Sequence, residues 1–193
     1  MHIIDLKIND SQEPLKLLSR PKLKQVNYEI INQIKNTPSK TIFRLDMTQI
    51  GDSNASGIDE VIAKPLKWMI EQFQENKIEK FLFLDNLSPE DEYDHEYNIE
   101  STLNIEELCI VAKSSDLYTI IGYIGGTKES LKEILAFVYD HKQVTARDVM
   151  DNLGKKLNTA STQLSKLYAK RLIYREEVQM PEGGRQFVYK SLF

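Results

Sequence analysis

The chain of 193 residues has 25 Lys and Arg against 29 Asp and Glu, a formal net charge of −4, and 41% hydrophobic side chains, which excludes a disordered or fibrous chain on composition. Its apolar runs fall well short of the roughly 20 residues that span a bilayer, and Met1-His2-Ile3-Ile4-Asp5 is charged too early for a secretory leader. The single Cys109, inside Leu108-Cys109-Ile110-Val111-Ala112, excludes a disulfide scaffold and reads as a buried thiol in a reducing compartment, so a cytoplasmic protein without a membrane partner is expected.

In chain order, His2 to Ile8 alternates as a strand with Ile4, Leu6 and Ile8 on one side. Lys22 to Lys35 reads as a helix, with Val26, Ile30 and Ile34 four apart, and Thr37-Pro38-Ser39 breaks it. Thr41 to Met47 reads as a strand and Ile58 to Phe73 as a long helix, which Pro65 should kink or restart because it lacks an N–H. Phe81-Leu82-Phe83-Leu84 is a continuous apolar run, the mark of a strand buried on both faces. Leu108 to Lys113 and Tyr118 to Ile124 add two more segments, joined by Ser114-Ser115-Asp116 as a hairpin turn. Strands alternating with helices imply a helix-covered sheet, and the hairpin makes it mixed.

Between the second strand and the long helix, Ile42-Phe43-Arg44-Leu45-Asp46-Met47-Thr48-Gln49-Ile50 leads into Gly51-Asp52-Ser53-Asn54-Ala55-Ser56-Gly57-Ile58. This stretch resembles the central strand and loop of STAS domains, as in sulfate transporters and anti-sigma-factor antagonists. By that resemblance Ser56, before Gly57, matches the position a partner kinase phosphorylates. Asn54 stands where the family has Asp, and the loop is one residue longer. A phosphate there would meet the orphan N–H groups of a helix N-terminus. The plainer reading, in which Ser53, Asn54 and Ser56 cap the following helix, is preferred.

Glu90-Asp91-Glu92-Tyr93-Asp94-His95-Glu96 gathers acids around a histidine after Ser88-Pro89. It lacks the spacing of an EF-hand or zinc motif, so a solvated acidic loop and no metal are expected. Gly125-Gly126 then reads as a hinge. Charge changes sign about there: from Thr127 on there are 12 basic and 8 acidic residues, a net of +4, whereas Met1 to Gly126 has 13 and 21, a net of −8. Such asymmetry predicts two domains, 1–125 and 126–193, with different partners.

In the second domain Leu131, Ile134, Leu135 and Val138 form one helical stripe within Lys128 to Lys142, and Thr145 to Leu153 reads as a short helix that Thr145 caps and Gly154 stops. From Lys155 to Arg175 there is no acidic residue. Asn158 or Thr159 can cap a third helix, whose Ala160, Leu164, Leu167 and Tyr168 face inward. Thr159, Thr162, Gln163 and Lys166 are assigned to its outer face, a choice of side chains able to reach base edges and phosphates. Leu172 to Arg175 and Gln186 to Lys190 read as strands joined by Met180-Pro181-Glu182-Gly183-Gly184-Arg185, where paired glycines permit a tight turn.

Three helices and a hairpin in this order resemble the winged-helix DNA-binding domain of bacterial transcriptional regulators, with Leu157 to Arg175 as recognition helix and first wing strand. The resemblance implies that Thr159, Thr162, Gln163 and Lys166 face the major groove of double-stranded DNA, that Arg185 reaches a minor groove or phosphate, and that Lys155 and Lys156 meet backbone phosphates. Arg171 stands where the family often has Gly to leave the helix in a left-handed conformation, so a different helix exit is expected.

No nucleophile elbow, phosphate loop or His-Glu-x-x-His motif is present, and His2, His95 and His141 offer little for catalysis. The reading is therefore an α/β protein, STAS-like then winged helix-turn-helix, that is a homodimeric DNA-binding regulator, not an enzyme, and needs no cofactor. Its N-terminal domain would sense, dock or dimerise. The alternative is a signalling or defence-system interaction protein whose two domains bind proteins.

Overall fold

The computed structural model describes residues 2–9, 11, 13–88, 94–114, 117–125, 128–180 and 183–193. The chain forms two compact units, Met1–Tyr123 and Ile124–Phe193; the sequence reading divides it after residue 125.

The first unit begins with β1 (His2–Asp5), β2 (Leu15–Leu17), α1 (Arg20–Lys35), β3 (Thr41–Asp46) and β4 (Ile50–Ser53). There follow α2 (Ala55–Ile58), a π turn over Asp59–Ala63, α3 (Lys64–Asn76), β5 (Lys80–Asp85), α4 (His95–Ile105), β6 (Cys109–Ser114) and β7 (Leu117–Gly122). Five strands make one sheet in the order β1-β3-β5-β6-β7. Neighbours run parallel except β6 and β7, which are antiparallel. The chain is thus α/β with a mixed sheet. Ser115 and Asp116, expected in the connecting turn, lie outside the described residues.

The alternation of apolar residues decides the core. Phe43 and Leu45 of β3, Leu82 and Leu84 of β5, and Ile110 and Ala112 of β6 point to one side, where they join Ile30 and Ile34 of α1, Val61 and Ile62 of the π turn, and Ile99 and Leu103 of α4. All six residues of β5 are buried, as its unbroken apolar run implies. Strand β1 is shorter than expected, and Ile4 is exposed while Leu6 and Ile8 beyond its end are buried.

Pro65 leaves the long helix without one N–H and would crowd the carbonyl four residues back. The backbone widens into the π turn just before it, and α-helix begins anew at Lys64 with Pro65 in the first turn, where the missing N–H costs no bond, and runs to Asn76. Short strands β2 and β4 pair in parallel as a separate ribbon that the sequence reading missed.

The acidic segment needs correction. His95 and Glu96 are in the first turn of α4, not a solvated loop, and His95 is 4% exposed with Nε2 at 2.8 Å from the Gly51 carbonyl. Glu90, Asp91, Glu92 and Tyr93 lie outside the described residues, as does Gly126 of the expected hinge.

The second unit comprises α5 (Lys128–His141), β8 (Gln143–Val144), α6 (Ala146–Leu153), α7 (Leu157–Ala169), β9 (Tyr174–Gln179) and β10 (Arg185–Lys190). Strands β8, β10 and β9 form an antiparallel sheet in that order. Leu131, Ile134, Leu135 and Val138 are buried as their spacing requires, and both α5 and α6 pack on α7. Thr145 caps α6 in a reciprocal box with Asp148, and Gly154 leaves it with φ of 64°. Pro181 and Glu182 of the hairpin lie outside the described residues. Among the described residues no helix is long and apolar enough to cross a membrane.

Candidate functional site

Helix α7 starts two or three residues earlier than a cap at Asn158 or Thr159 would allow. Lys156 occupies the N-cap and makes no side-chain cap bond, since an ammonium has no acceptor to offer. The inward stripe is Ala160, Gln163, Leu164, Leu167 and Tyr168. Gln163 therefore does not face outward: it is 7% exposed, and its amide Nε2 donates to Ser130 Oγ of α5 at 2.9 Å. The spacing contained this outcome, because position 163 is three after Ala160 and four before Leu167, inside the apolar stripe.

The outer face of α7 carries exposed Asn158, Thr159, Ser161, Thr162 and Lys166 and no acid. Thr162 Oγ1 donates to the Asn158 carbonyl at 2.8 Å, which fixes its rotamer and leaves the oxygen's lone pairs outward. Lys156 is exposed at the head of the helix. Lys155 is turned away from this face: its ammonium pairs with Glu133 of α5 at 2.6 Å, so it does not stand as an open phosphate contact.

The hairpin flanks this face. Arg185 opens β10 and is exposed, at 3.3 Å from Glu177 across the ladder, a surface pair of small energy that a polyanion could displace. Lys190 at the far end of β10 pairs with Glu176 at 2.6 Å, and that carboxylate raises the lysine above its ordinary range. A cleft of about 320 Å³ opens between α6, α7 and β10, lined among others by Arg147, Leu157, Asn158, Ser161, Arg185 and Phe187. Arg147, Asn158 and Ser161 were missed from sequence. Arg147 lies outside the acid-free run, at the start of a different helix, and only the fold brings it to Arg185.

The exit of α7 corrects a further expectation. Arg171 adopts the left-handed conformation itself, with φ of 63°. The Leu172 N–H bonds the Leu167 carbonyl at 3.1 Å and the Arg171 N–H bonds that of Tyr168 at 3.0 Å, the paired bonds of a Schellman turn. The arginine side chain is 1% exposed, with its guanidinium donating to the Tyr168 carbonyl and lying 4.2 Å from the Tyr168 ring centroid. Leu172 and Ile173, read as strand, are buried residues of this exit, and β9 begins at Tyr174.

In the first unit the serine loop is a cap. Asn54 Oδ1 accepts from the Gly57 N–H and from Ser56 Oγ, both at 2.9 Å, while its Nδ2 donates to the Leu18 carbonyl at 3.2 Å. An aspartate could not make that last bond, which gives Asn54 its own physical reason. A Cβ on Gly57 would sit 2.0 Å from the Leu17 carbonyl oxygen, so the loop needs glycine there to dock on β2. Ser56 is half-buried with its hydroxyl tied into the cap. Ser53 does not take part: its buried hydroxyl has no hydrogen-bond partner among the described residues.

Among the described residues no group of three or more His, Cys, Asp or Glu side chains is placed to hold a metal ion. No family model matches this chain, and neither a curated protein nor a solved structure gives a significant match.

Proposed function

We propose that the second unit is a winged-helix domain that binds double-stranded DNA, and that the protein is a homodimeric regulator of transcription acting in the cytoplasm by binding rather than catalysis. The observation that carries this reading is the outer face of α7. Asn158, Thr159, Ser161, Thr162 and Lys166 stand exposed on it without one acid, and Arg185 and Arg147 border the adjoining cleft. Hydroxyls, an amide and a single ammonium on one helix face suit a groove of mixed base edges and phosphates. In this reading Thr159, Thr162 and Lys166 address the groove, Lys156 and Arg185 address phosphates, and the first unit, STAS-like around Ser56, serves sensing, docking or dimerisation.

Binding of a fluorescent duplex library should fall steeply with salt as counterions are released. Lys166→Glu combined with Arg185→Glu should abolish it. A library that stays unbound at low ionic strength, or a double variant with undiminished binding, overturns the reading. One observation favours the other class: Leu157, Val178, Met180 and Phe187 are exposed apolar side chains on α7 and the hairpin, which suits docking of a protein. In that case the double variant would keep the activity of the protein in its cell.

A further inference from the structure

Two of the basic residues in the acid-free run are absorbed by aromatic rings. The guanidinium of Arg175, on β9, has its carbon 4.4 Å from the centroid of Tyr168 on α7 and 4.0 Å from that of Phe187 on β10. The Tyr168 ring also receives Arg171 at 4.2 Å. One helix, its exit and both strands of the hairpin therefore meet in a single series of cations and π faces.

The need for such a joint follows from the topology. Strand β8 pairs with β10 only at Tyr189 and Lys190, so from Val188 outward β9 and β10 are a two-stranded ribbon. An isolated ribbon is marginal in water and twists freely. Near its base, Tyr189 is buried and its hydroxyl lies 3.2 Å from Ser165 Oγ of α7. Farther out, Glu177 faces Phe187 across the ladder, and Phe187 is diagonal to Arg175. The stack is thus placed where the third strand has stopped and Arg185 is still two residues away.

We propose that the Tyr168, Arg175 and Phe187 stack is a positioning device that fixes the angle of the hairpin to α7, so that Arg185 and the outer face of α7 address the same duplex. Tyr168 and Arg175 act through the hairpin without a phosphate contact, and Phe187, which also lines the cleft, acts through its packing on Arg175. The proposal rests on the DNA-binding reading for its consequence, but not for its mechanical part. Planar guanidinium is required, because an ammonium is a hydrated point charge that does not fill the gap between two rings.

The test uses the full chain, a mixed-sequence fluorescent duplex titrated across a salt series, and hydrogen exchange of the free protein read over β9 and β10. Arg175→Lys, which keeps the charge, and Phe187→Leu should each weaken duplex binding by roughly tenfold, the size of one or two cation–π contacts. The slope of affinity against salt should stay unchanged, because no phosphate contact is lost. Both variants should also exchange faster from Phe187 to Tyr189 while α6 amides keep their wild-type rates, which shows that the unit is still folded. Arg185→Gln should do the reverse, lowering the salt slope by about one without altering exchange. An Arg175→Lys variant with wild-type affinity and exchange overturns the stack, as does a Phe187→Leu variant that behaves as wild type. A wild-type protein that binds no duplex overturns the DNA reading instead, and exchange alone then decides whether the rings hold the hairpin.

Discussion

Among the described residues each unit buries one cation at the C-terminal end of a helix, and the two arrive by opposite routes. Lys80, 2% exposed, comes from strand β5, and its ammonium donates to the Ile34 carbonyl and, at 2.6 and 2.7 Å, to the Thr37 carbonyl and hydroxyl at the end of α1. Arg171, 1% exposed, is itself the left-handed exit residue of α7 and folds back on Tyr168 of the same helix. Both satisfy the negative end of a helix dipole. The lysine joins two distant segments of the first unit, whereas the arginine stabilises a turn its own backbone strains. A cation at a helix end can thus be a tertiary tie or a local compensation, and the two should fail differently.

The largest expected effect is at Arg171. Its replacement by Ala removes a fully buried side chain and keeps a Cβ in the left-handed region, so the second unit should lose about 2–4 kcal/mol. Arg171→Gly loses the same packing but relieves the backbone, and should be less damaging by about 1 kcal/mol. Urea denaturation followed by circular dichroism compares the three proteins. A glycine variant less stable than the alanine variant would sink the idea that packing offsets strain here.

Lys80→Met comes next. It preserves volume but removes the donor shared by the Ile34 and Thr37 carbonyls, against which the relieved desolvation of the charge is set; a net loss of about 1–3 kcal/mol is expected. The single Trp68 packs against the core of the first unit, so its fluorescence during denaturation reports this variant directly. An unchanged midpoint would mean that the ammonium is not the tie between α1 and β5.

Gly154→Ala gives the strain without a compensating side chain. Gly154 has nearly the same φ as Arg171, 64° against 63°, and nothing lies within 4 Å of a Cβ built there. The expected loss is therefore the conformational penalty alone, about 1 kcal/mol. Agreement between this loss and the gain from Arg171→Ala to Arg171→Gly, both measured by the same denaturation, would make the two exits one backbone problem with two solutions.

These positions also mark what a linear reading could reach. The stop at Gly154 was legible, since a glycine after a periodic run has a local meaning. At Arg171 the residue type argued for a different exit, because the compensation comes from Tyr168 and burial, and neither is a property of position 171 alone. Lys80 had no local signal: its partners are more than forty residues away and are carbonyl groups. Strands β3, β5, β6 and β7 and helices α1, α3, α5 and α6 follow from apolar period, whereas β2 and β4 are too short to show one. Helix α4 was hidden by the acids before it, since its buried apolar residues are only Ile99 and Leu103. On the candidate face, Thr159, Thr162 and Lys166 were placed outward from residue type and phase together. Gln163 was placed by residue type against its phase, and the phase prevailed.

The smallest effect separates the two cations by chemistry rather than by place. Lysine can give up its proton when buried, but a guanidinium keeps its proton across the accessible pH range. Burial lowers Lys80 from the ordinary lysine value of 10.5. Below its folded value both folded and unfolded chains hold the proton, and the cost of burying the charge is fully present. Between the folded value and 10.5 the unfolded chain holds more protons, so the contribution of Lys80 to stability rises with pH over that window. The stability deficit of Lys80→Met relative to wild type, followed by Trp68 fluorescence in urea, should therefore widen as pH is raised towards 10.5. The deficit of Arg171→Ala should stay level across the same series. A Lys80→Met deficit that is flat or narrows would show that the buried ammonium keeps its proton as firmly as the arginine does, and the distinction between a titratable tie and a permanent one would fall.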